Sequence, residues 1–200
     1  MTAPFPKLTP EEKTFLLNDA VFYEVLFALG VSAHNATNYC VWEHLNFSRM
    51  GHARALLYFF ECPSGKKKWP DDVVSEDFDF PANAVPISND DRERLNKDLF
   101  HLSSRRLRHT AASKPWPHTI LQRIHERAIA FIDHLLRDGA ERDFEVGKQQ
   151  WETLARALKE GKELCISRHF RHDGSETGWQ IRLGRVLQSG KSELTELHAK

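Results

Sequence analysis

The sequence predicts a mostly α-helical protein, built as a four- to five-helix antiparallel bundle with a C-terminal β-hairpin. Three observations predict this class. Apolar residues recur at helical spacing over the first 160 of the 200 residues, proline and glycine separate the periodic segments, and apolar and polar residues alternate after Gly161. Short to moderate connections favour antiparallel neighbours. We therefore predict a helical bundle domain over residues 1–160 and a hairpin extension with a tail over 161–200.

The first two helices have clear boundary signals. Thr9 and Glu12 match the capping-box pattern, with a proline at the first helical position, so the first helix is predicted over Pro10–Leu29. The second helix is predicted over Asn35–Glu61, where an apolar stripe recurs at helical spacing. The breakers in Cys62–Gly65 end it.

Residues 66–88 are predicted to form a long irregular connection that contains one short helical turn. A connection of this length is uncommon inside a compact domain and is more often functional than idle. It carries five acidic residues: Asp71, Asp72, Glu76, Asp77 and Asp79. Their spacing differs from an EF-hand loop, with no central glycine and with apolar residues between them. We therefore predict that they cap a short helix and pair with Arg or Lys, and we predict no metal site.

The remaining elements are predicted from helix caps, from apolar stripes at helical spacing and from alternating apolar and polar residues. A third helix is predicted over Ser88–Arg108, a fourth over Pro117–Gly139 with the glycine as its stop, and a fifth over Phe144–Lys159. The hairpin is predicted over Leu164–Leu187, because two alternating runs flank the turn signal Asp173–Ser175.

Composition excludes several classes of function. Lys and Arg total 28, as do Asp and Glu, so the formal net charge is zero. This balance excludes a uniformly basic nucleic-acid coat and an acidic tail protein, although a local basic patch is compatible with it. The three cysteines form no CxxC pair, so we predict neither a disulfide framework nor a zinc ribbon. Gly-rich phosphate loops and dinucleotide fingerprints are absent, and we predict no cofactor.

The chain shows no apolar signal segment and no apolar run of membrane-spanning length. Cysteine usage fits a reducing compartment. We therefore expect a cytoplasmic protein with no membrane partner.

The segment from Arg94 to His109 is the most basic part of the chain. On an α-helix, Arg94 and His101 would lie on one face about two turns apart. A histidine can transfer the proton of an RNA 2′-hydroxyl, and an arginine can stabilise charge on the phosphoryl oxygens without a metal. The same spacing also arises by chance in helical bundles, so by itself it favours an ordinary structural role.

The Arg94–His101 spacing resembles the R-x(4–6)-H signature of the HEPN superfamily, small helical domains that include metal-independent ribonucleases and toxins. Other blocks resemble runs in bacterial HEPN-like proteins: His52–Phe60, Asp71–Phe78, Leu95–Leu102 and Lys114–Pro117. Together these blocks cover about the central third of the chain. One departure is Leu95, which follows the arginine where catalytic HEPN motifs usually place a polar residue.

The resemblance implies a HEPN-like bundle, a homodimer and a metal-independent endoribonuclease of the toxin type. His101 would be the acid/base, Arg94 the phosphate-stabilising cation, and Asn96 and Arg105 supporting contacts to the substrate. The alternative is a non-catalytic helical module that binds RNA or a protein partner such as an antitoxin.

Arg49 and His52 interrupt the apolar stripe of the second helix and are candidate substrate contacts. Buried polar side chains need partners. We expect those partners in the acidic connection, at Asp72 or Asp77, or on the third helix near His101. A structural ion pair or hydrogen bond is the alternative to a functional role.

Trp116 lies between two prolines after the basic segment. In this position a tryptophan either stacks a nucleobase or anchors its loop on the bundle. The sequence leaves both open.

Overall fold

The structure is a computed structural model that describes residues 8–30, 39–99, 116, 118–138, 145–162, 164–170, 176–186 and 192–194. Within these ranges, residues 39–43, 138, 145–146 and the strands are described by their backbone alone. The described chain is mostly helical, which confirms the mostly α-helical part of the prediction. No helix among these residues has the length and apolar character needed to cross a bilayer.

The N-terminal helical stretch contains two π-helical turns. Helices α1 and α2 alternate with them in the order Pro10–Leu16, Leu17–Val21, Phe22–Val25 and Leu26–Gly30. The predicted capping box is present: Thr9 Oγ1 accepts from the Glu12 N–H at 3.2 Å, and the Glu12 carboxylate accepts from the Thr9 N–H at 2.8 Å. The cap is predicted correctly because its signal lies in neighbouring residues. In the π turns each backbone N–H bonds to a carbonyl one residue further away than in an α-helix.

The other helices are α3 (Tyr39–Glu61), α4 (Asn89–Glu93), α5 (His118–Asp138) and α6 (Glu145–Glu160). The ends of α5 and α6 lie within one residue of the predicted boundaries. Ser88 caps α4, because its Oγ accepts from the Asp91 N–H at 3.1 Å. A π-helical turn over Arg94–Asp98 continues α4, and the predicted end of this helix at Arg108 lies outside the described residues.

The C-terminal backbone forms strands β1 (Leu164–Phe170), β2 (Glu176–Val186) and β3 (Ser192–Leu194). Strand β2 pairs antiparallel with both others, and Leu164 faces Leu183 in the β1–β2 register. Residues 171–175, where the sequence predicts the hairpin turn, lie outside the described residues.

The core is centred on Phe131 of α5. Its ring meets five other buried rings at centroid distances of 5.3–6.2 Å and interplanar angles of 70–82°. These are Phe59, Phe60, Phe78, Phe80 and Trp151. Edge-to-face contacts of this kind contribute about 0.5–1.5 kcal/mol each beyond area burial. Helix α3, the connection before α4, and α6 therefore converge on one side chain of α5.

The connection between α3 and α4 is anchored in this core. It contains two 3₁₀ turns, Ser64–Lys66 and Ser75–Phe78, where the sequence predicts one short helical turn. Asp77 Oδ2 accepts from the Val74 N–H at 2.9 Å and pairs with Lys67 at 2.8 Å. The prediction that the acidic residues cap a short helix and pair with a cation is confirmed for Asp77.

Gly147 on α6 lies close to the side chain of Asn18, and a larger residue at 147 would disrupt this contact. A Cβ there would lie 1.8 Å from Asn18 Oδ1, the atom that accepts from the buried Trp151 Nε1 at 3.1 Å. We expect Gly147→Ala to lower the free energy of unfolding by about 1–3 kcal/mol, because the displaced Asn18 loses this hydrogen bond. Urea unfolding measures the change.

Gly65 provides the matched control, because a Cβ placed there would meet no atom within 4 Å outside its own stretch of backbone. Gly65→Ala should change the free energy of unfolding by no more than about 0.5 kcal/mol. Equal stability of the two variants would contradict the packing assigned to Gly147.

Glu76 contributes to stability in its charged form. The Ser64 N–H, donated at 2.8 Å, holds the pKa of Glu76 below its ordinary value. Because the folded pKa is lower than the unfolded one, this stabilisation is present above the unfolded pKa, near 4.3, and is lost as the pH falls through the folded pKa. We expect Glu76→Gln to lower Tm at pH 7 and to match the wild type at about pH 2–3. A Tm difference that stays constant with pH would contradict this role.

Candidate functional site

Arg94 lies inside the fold. Its side chain is 7% exposed, and its guanidinium carbon lies 4.8 Å from the centroid of the Trp116 ring. Trp116 is half-buried and packs against the hydrophobic core. The loop-anchor interpretation therefore describes Trp116. Arg94 joins the turn after α4 to that anchor through a cation–π contact.

His101 and Arg105 lie outside the described residues. The expected common face of Arg94 and His101 assumes α-helical spacing, but Arg94–Asp98 is a π-helical turn. A π turn changes the angular position of every residue that follows it. The catalytic pairing of Arg94 and His101 stays a prediction.

Arg49 and His52 contact the first helical stretch. His52 Nδ1 lies 3.0 Å from Glu24 Oε2, and Arg49 Nε donates to the Ala28 carbonyl at 3.2 Å. The described contacts thus differ from the expected partners in the acidic connection. The reason is that α3 packs against α2 and the Leu26–Gly30 turn, so this part of its surface is turned toward them.

Asn96 lines an open pocket of about 500 Å³ between α3, the connection and the turn after α4. Its Oδ1 accepts from Arg54 Nε at 3.0 Å, which links this turn to α3. Other polar and aromatic residues also line the pocket: Tyr58, Glu61, Lys68, Trp69, Asp72 and Arg92. Among the described residues predicted to contact substrate (Arg49, His52 and Asn96), Asn96 is the one placed at this pocket.

The two carboxylates of the pocket are bound by internal donors. Glu61 accepts from Arg92 Nη1 at 2.5 Å and from the Val85 N–H at 2.6 Å. Asp72 accepts from Tyr58 Oη at 2.5 Å and from the Trp69 N–H at 3.0 Å. Both carboxylates are half-buried, whereas the lining residues Arg54 and Lys68 are exposed.

Tyr58 holds the edge of the pocket together as a hydrogen-bond donor. Partial desolvation of its phenol raises the pKa of Tyr58 above its ordinary value, and the hydrogen bond to Asp72 raises it further. The hydroxyl therefore stays protonated throughout the physiological range and keeps donating to Asp72.

Arg54, Lys68 and Trp69 are among the residues of this pocket that the sequence did not predict. One signal was present, because Lys66-Lys67-Lys68-Trp69 combines basic and aromatic residues as nucleic-acid sites do. A second signal was the four-residue spacing of Arg54 and Tyr58, which places them on one face of a helix. Neither signal shows that the two segments meet.

Comparison with protein-family models, with curated proteins and with solved structures finds no match to this chain. Among the described residues, no group of three or more His, Cys, Asp or Glu side chains has a metal-binding arrangement.

Burial of Arg94 predicts that its removal affects folding. We expect Arg94→Ala to lower the free energy of unfolding by about 2 kcal/mol, because a desolvated cation–π contact of this order is lost. Arg54→Ala is the control, since Arg54 is exposed and its removal should change stability by about 0.5 kcal/mol or less. Chemical denaturation measures both values. An Arg94→Ala variant as stable as the wild type would contradict the structural role of Arg94.

Proposed function

We propose that this chain is a HEPN-like helical module that binds RNA through the open pocket without cleaving it. The observation that carries the proposal is the contrast between two arginines. Arg94, the arginine of the sequence motif, is buried against Trp116. Arg54 is exposed at the pocket beside Asn96.

Charge at the pocket supports an anionic ligand. Lys68 and Arg54 are exposed lining residues, while Glu61 and Asp72 accept hydrogen bonds from donors of the fold. Although the chain has no net charge, phosphate groups would find exposed cations at this position. A protein partner is the competing occupant of the pocket.

The HEPN-like architecture, the C-terminal hairpin over Leu164–Leu187 and a two-fold homodimer belong to the same proposal. The resemblance of the sequence blocks that include His52–Phe60 and Leu95–Leu102 supports the architecture and the homodimer, and the alternating runs around Asp173–Ser175 support the hairpin. A two-fold contact would place two copies of the pocket on one particle.

RNA binding should depend on salt and on Arg54. Each phosphate contact to a single strand contributes roughly 0.7 to the slope of log Kd against log salt concentration. We expect Arg54→Gln to reduce this slope by about that amount and to weaken binding of RNAs of different sequence alike. Fluorescence anisotropy with a labelled single-stranded RNA, from 50 to 300 mM salt, measures both effects.

Arg123→Gln is the matched control, because Arg123 is an exposed arginine on α5 that pairs with Glu126 and lies away from the pocket lining. Its slope should equal that of the wild type. Absence of RNA binding by the folded wild type would overturn the proposal and favour a protein partner. In a parallel incubation with EDTA, RNA should stay intact. Cleavage that disappears in His101→Ala would instead establish the ribonuclease chemistry predicted from Arg94 and His101.

A further inference from the structure

Trp69 is an exposed aromatic ring among the lining residues of the pocket. The residue is 60% exposed, and Lys68 Nζ lies 5.7 Å from its ring centroid. Tryptophan is a highly buried residue on average. An exposed indole beside a cation presents a flat apolar surface with a charge next to it.

The backbone that carries this ring is fixed by two side chains. The Lys68 N–H donates to Tyr58 Oη at 2.9 Å, and the Trp69 N–H donates to Asp72 Oδ2 at 3.0 Å. Tyr58 and Asp72 are themselves joined at 2.5 Å. The attachment point of the indole is therefore held in place before any ligand arrives, which lowers the entropic cost of binding.

Lys67 gives the same segment a second anchor. Its ammonium pairs with both oxygens of the Asp77 carboxylate, at 2.8 and 3.0 Å, and the Lys67 side chain is 6% exposed. Lys67 is thus directed into the fold, whereas its neighbours Lys66 and Lys68 are exposed. The run of three lysines thus supplies one anchor and two surface cations.

These features together select a ligand with a flat ring and a chain of negative charges. A single-stranded nucleic acid has both, since each base offers a π face and each linkage a phosphate. A duplex stacks its bases on one another, so their π faces are not available to a side chain. Of these two forms of nucleic acid, the single strand is the one that offers the exposed indole a base to stack on.

Resting on the proposed function, we propose that Trp69 stacks against one unpaired base of a single-stranded RNA, while Lys68, Lys66 and Arg54 bind the phosphates on either side of that base. Tyr58 and Asp72 are positioning residues that hold the backbone of Trp69. Neither Arg94 nor His101 is part of this proposed contact.

The test compares Trp69→Ala and Trp69→Phe with the wild type on a labelled single-stranded 12-mer RNA. Stacking of one base is expected to make the Kd of Trp69→Ala roughly 5- to 150-fold higher. Trp69→Phe keeps an aromatic face and should recover most of the affinity. Phe15→Ala is the matched control, since Phe15 is an exposed ring on α1, and its Kd should equal that of the wild type.

Two further ligands separate stacking from charge. The same RNA annealed into a duplex, and inorganic polyphosphate, which has no bases, should each bind Trp69→Ala as well as they bind the wild type. Tyr58→Phe keeps the ring at 58 but removes the hydroxyl that holds Lys68 and Asp72. Its Kd for the single strand should rise roughly 2- to 10-fold, with unchanged binding of polyphosphate.

Each outcome decides between the two proposals. If Trp69→Ala binds the single strand like the wild type while Arg54→Gln reduces the salt slope, the stacking site is wrong and RNA binding stands. If the folded wild type binds neither RNA nor polyphosphate, both proposals are wrong. Thermal melts of every variant confirm folding, and replacement of exposed Trp69 should leave stability within about 0.5 kcal/mol.

Discussion

The contact on which the rest of this structure depends is the meeting of aromatic rings around Phe131. Phe78 and Phe80 reach it from the connection between α3 and α4, so a segment that lies between helices is held by the core. Such edge-to-face contacts are directional as well as apolar. They fix where the connection enters and leaves the core. These ring contacts also determine the position of the pocket edge at Tyr58 and Asp72, because Tyr58 lies on α3 and Asp72 on the connection.

A second constraint is how the fold uses its acidic residues. Lys67 forms an ion pair with Asp77, and Arg92 forms one with Glu61. Backbone N–H groups also donate hydrogen bonds to both carboxylates. Buried or half-buried carboxylates need such donors, since an unpaired charge in the interior is costly. One consequence is electrostatic. A chain with equal numbers of acidic and basic residues still presents exposed Arg54 and Lys68 at one pocket, while the nearby Glu61 and Asp72 are half-buried and accept hydrogen bonds within the fold.

The sequence predicted correctly those helix boundaries that are marked by a few neighbouring residues. Pro117 and Gly139 bracket α5, and the Thr9 cap is visible in four residues, so both were correct. The π turn at Arg94–Asp98 was not predicted, because hydrogen bonding one residue further along leaves no mark in apolar spacing. The pocket was missed for a different reason. Arg54 and Lys68 are brought together by the packing of the connection on the core, a tertiary effect that periodicity along either segment does not report.

The turn after α4 connects the core to the pocket over three residues. Arg94 is fixed against Trp116, while Asn96, two positions later, is exposed and bonded to Arg54. We therefore expect a change at Arg94 to shift Asn96 even if Arg94 contacts no ligand. If an Arg94 variant loses RNA binding or cleavage, there are two explanations: Arg94 acts on the ligand through its charge, or it positions Asn96. Arg94→Lys distinguishes them: a lysine restores the charge but not the flat guanidinium over the indole, so a purely electrostatic role would be rescued and a positioning role would not.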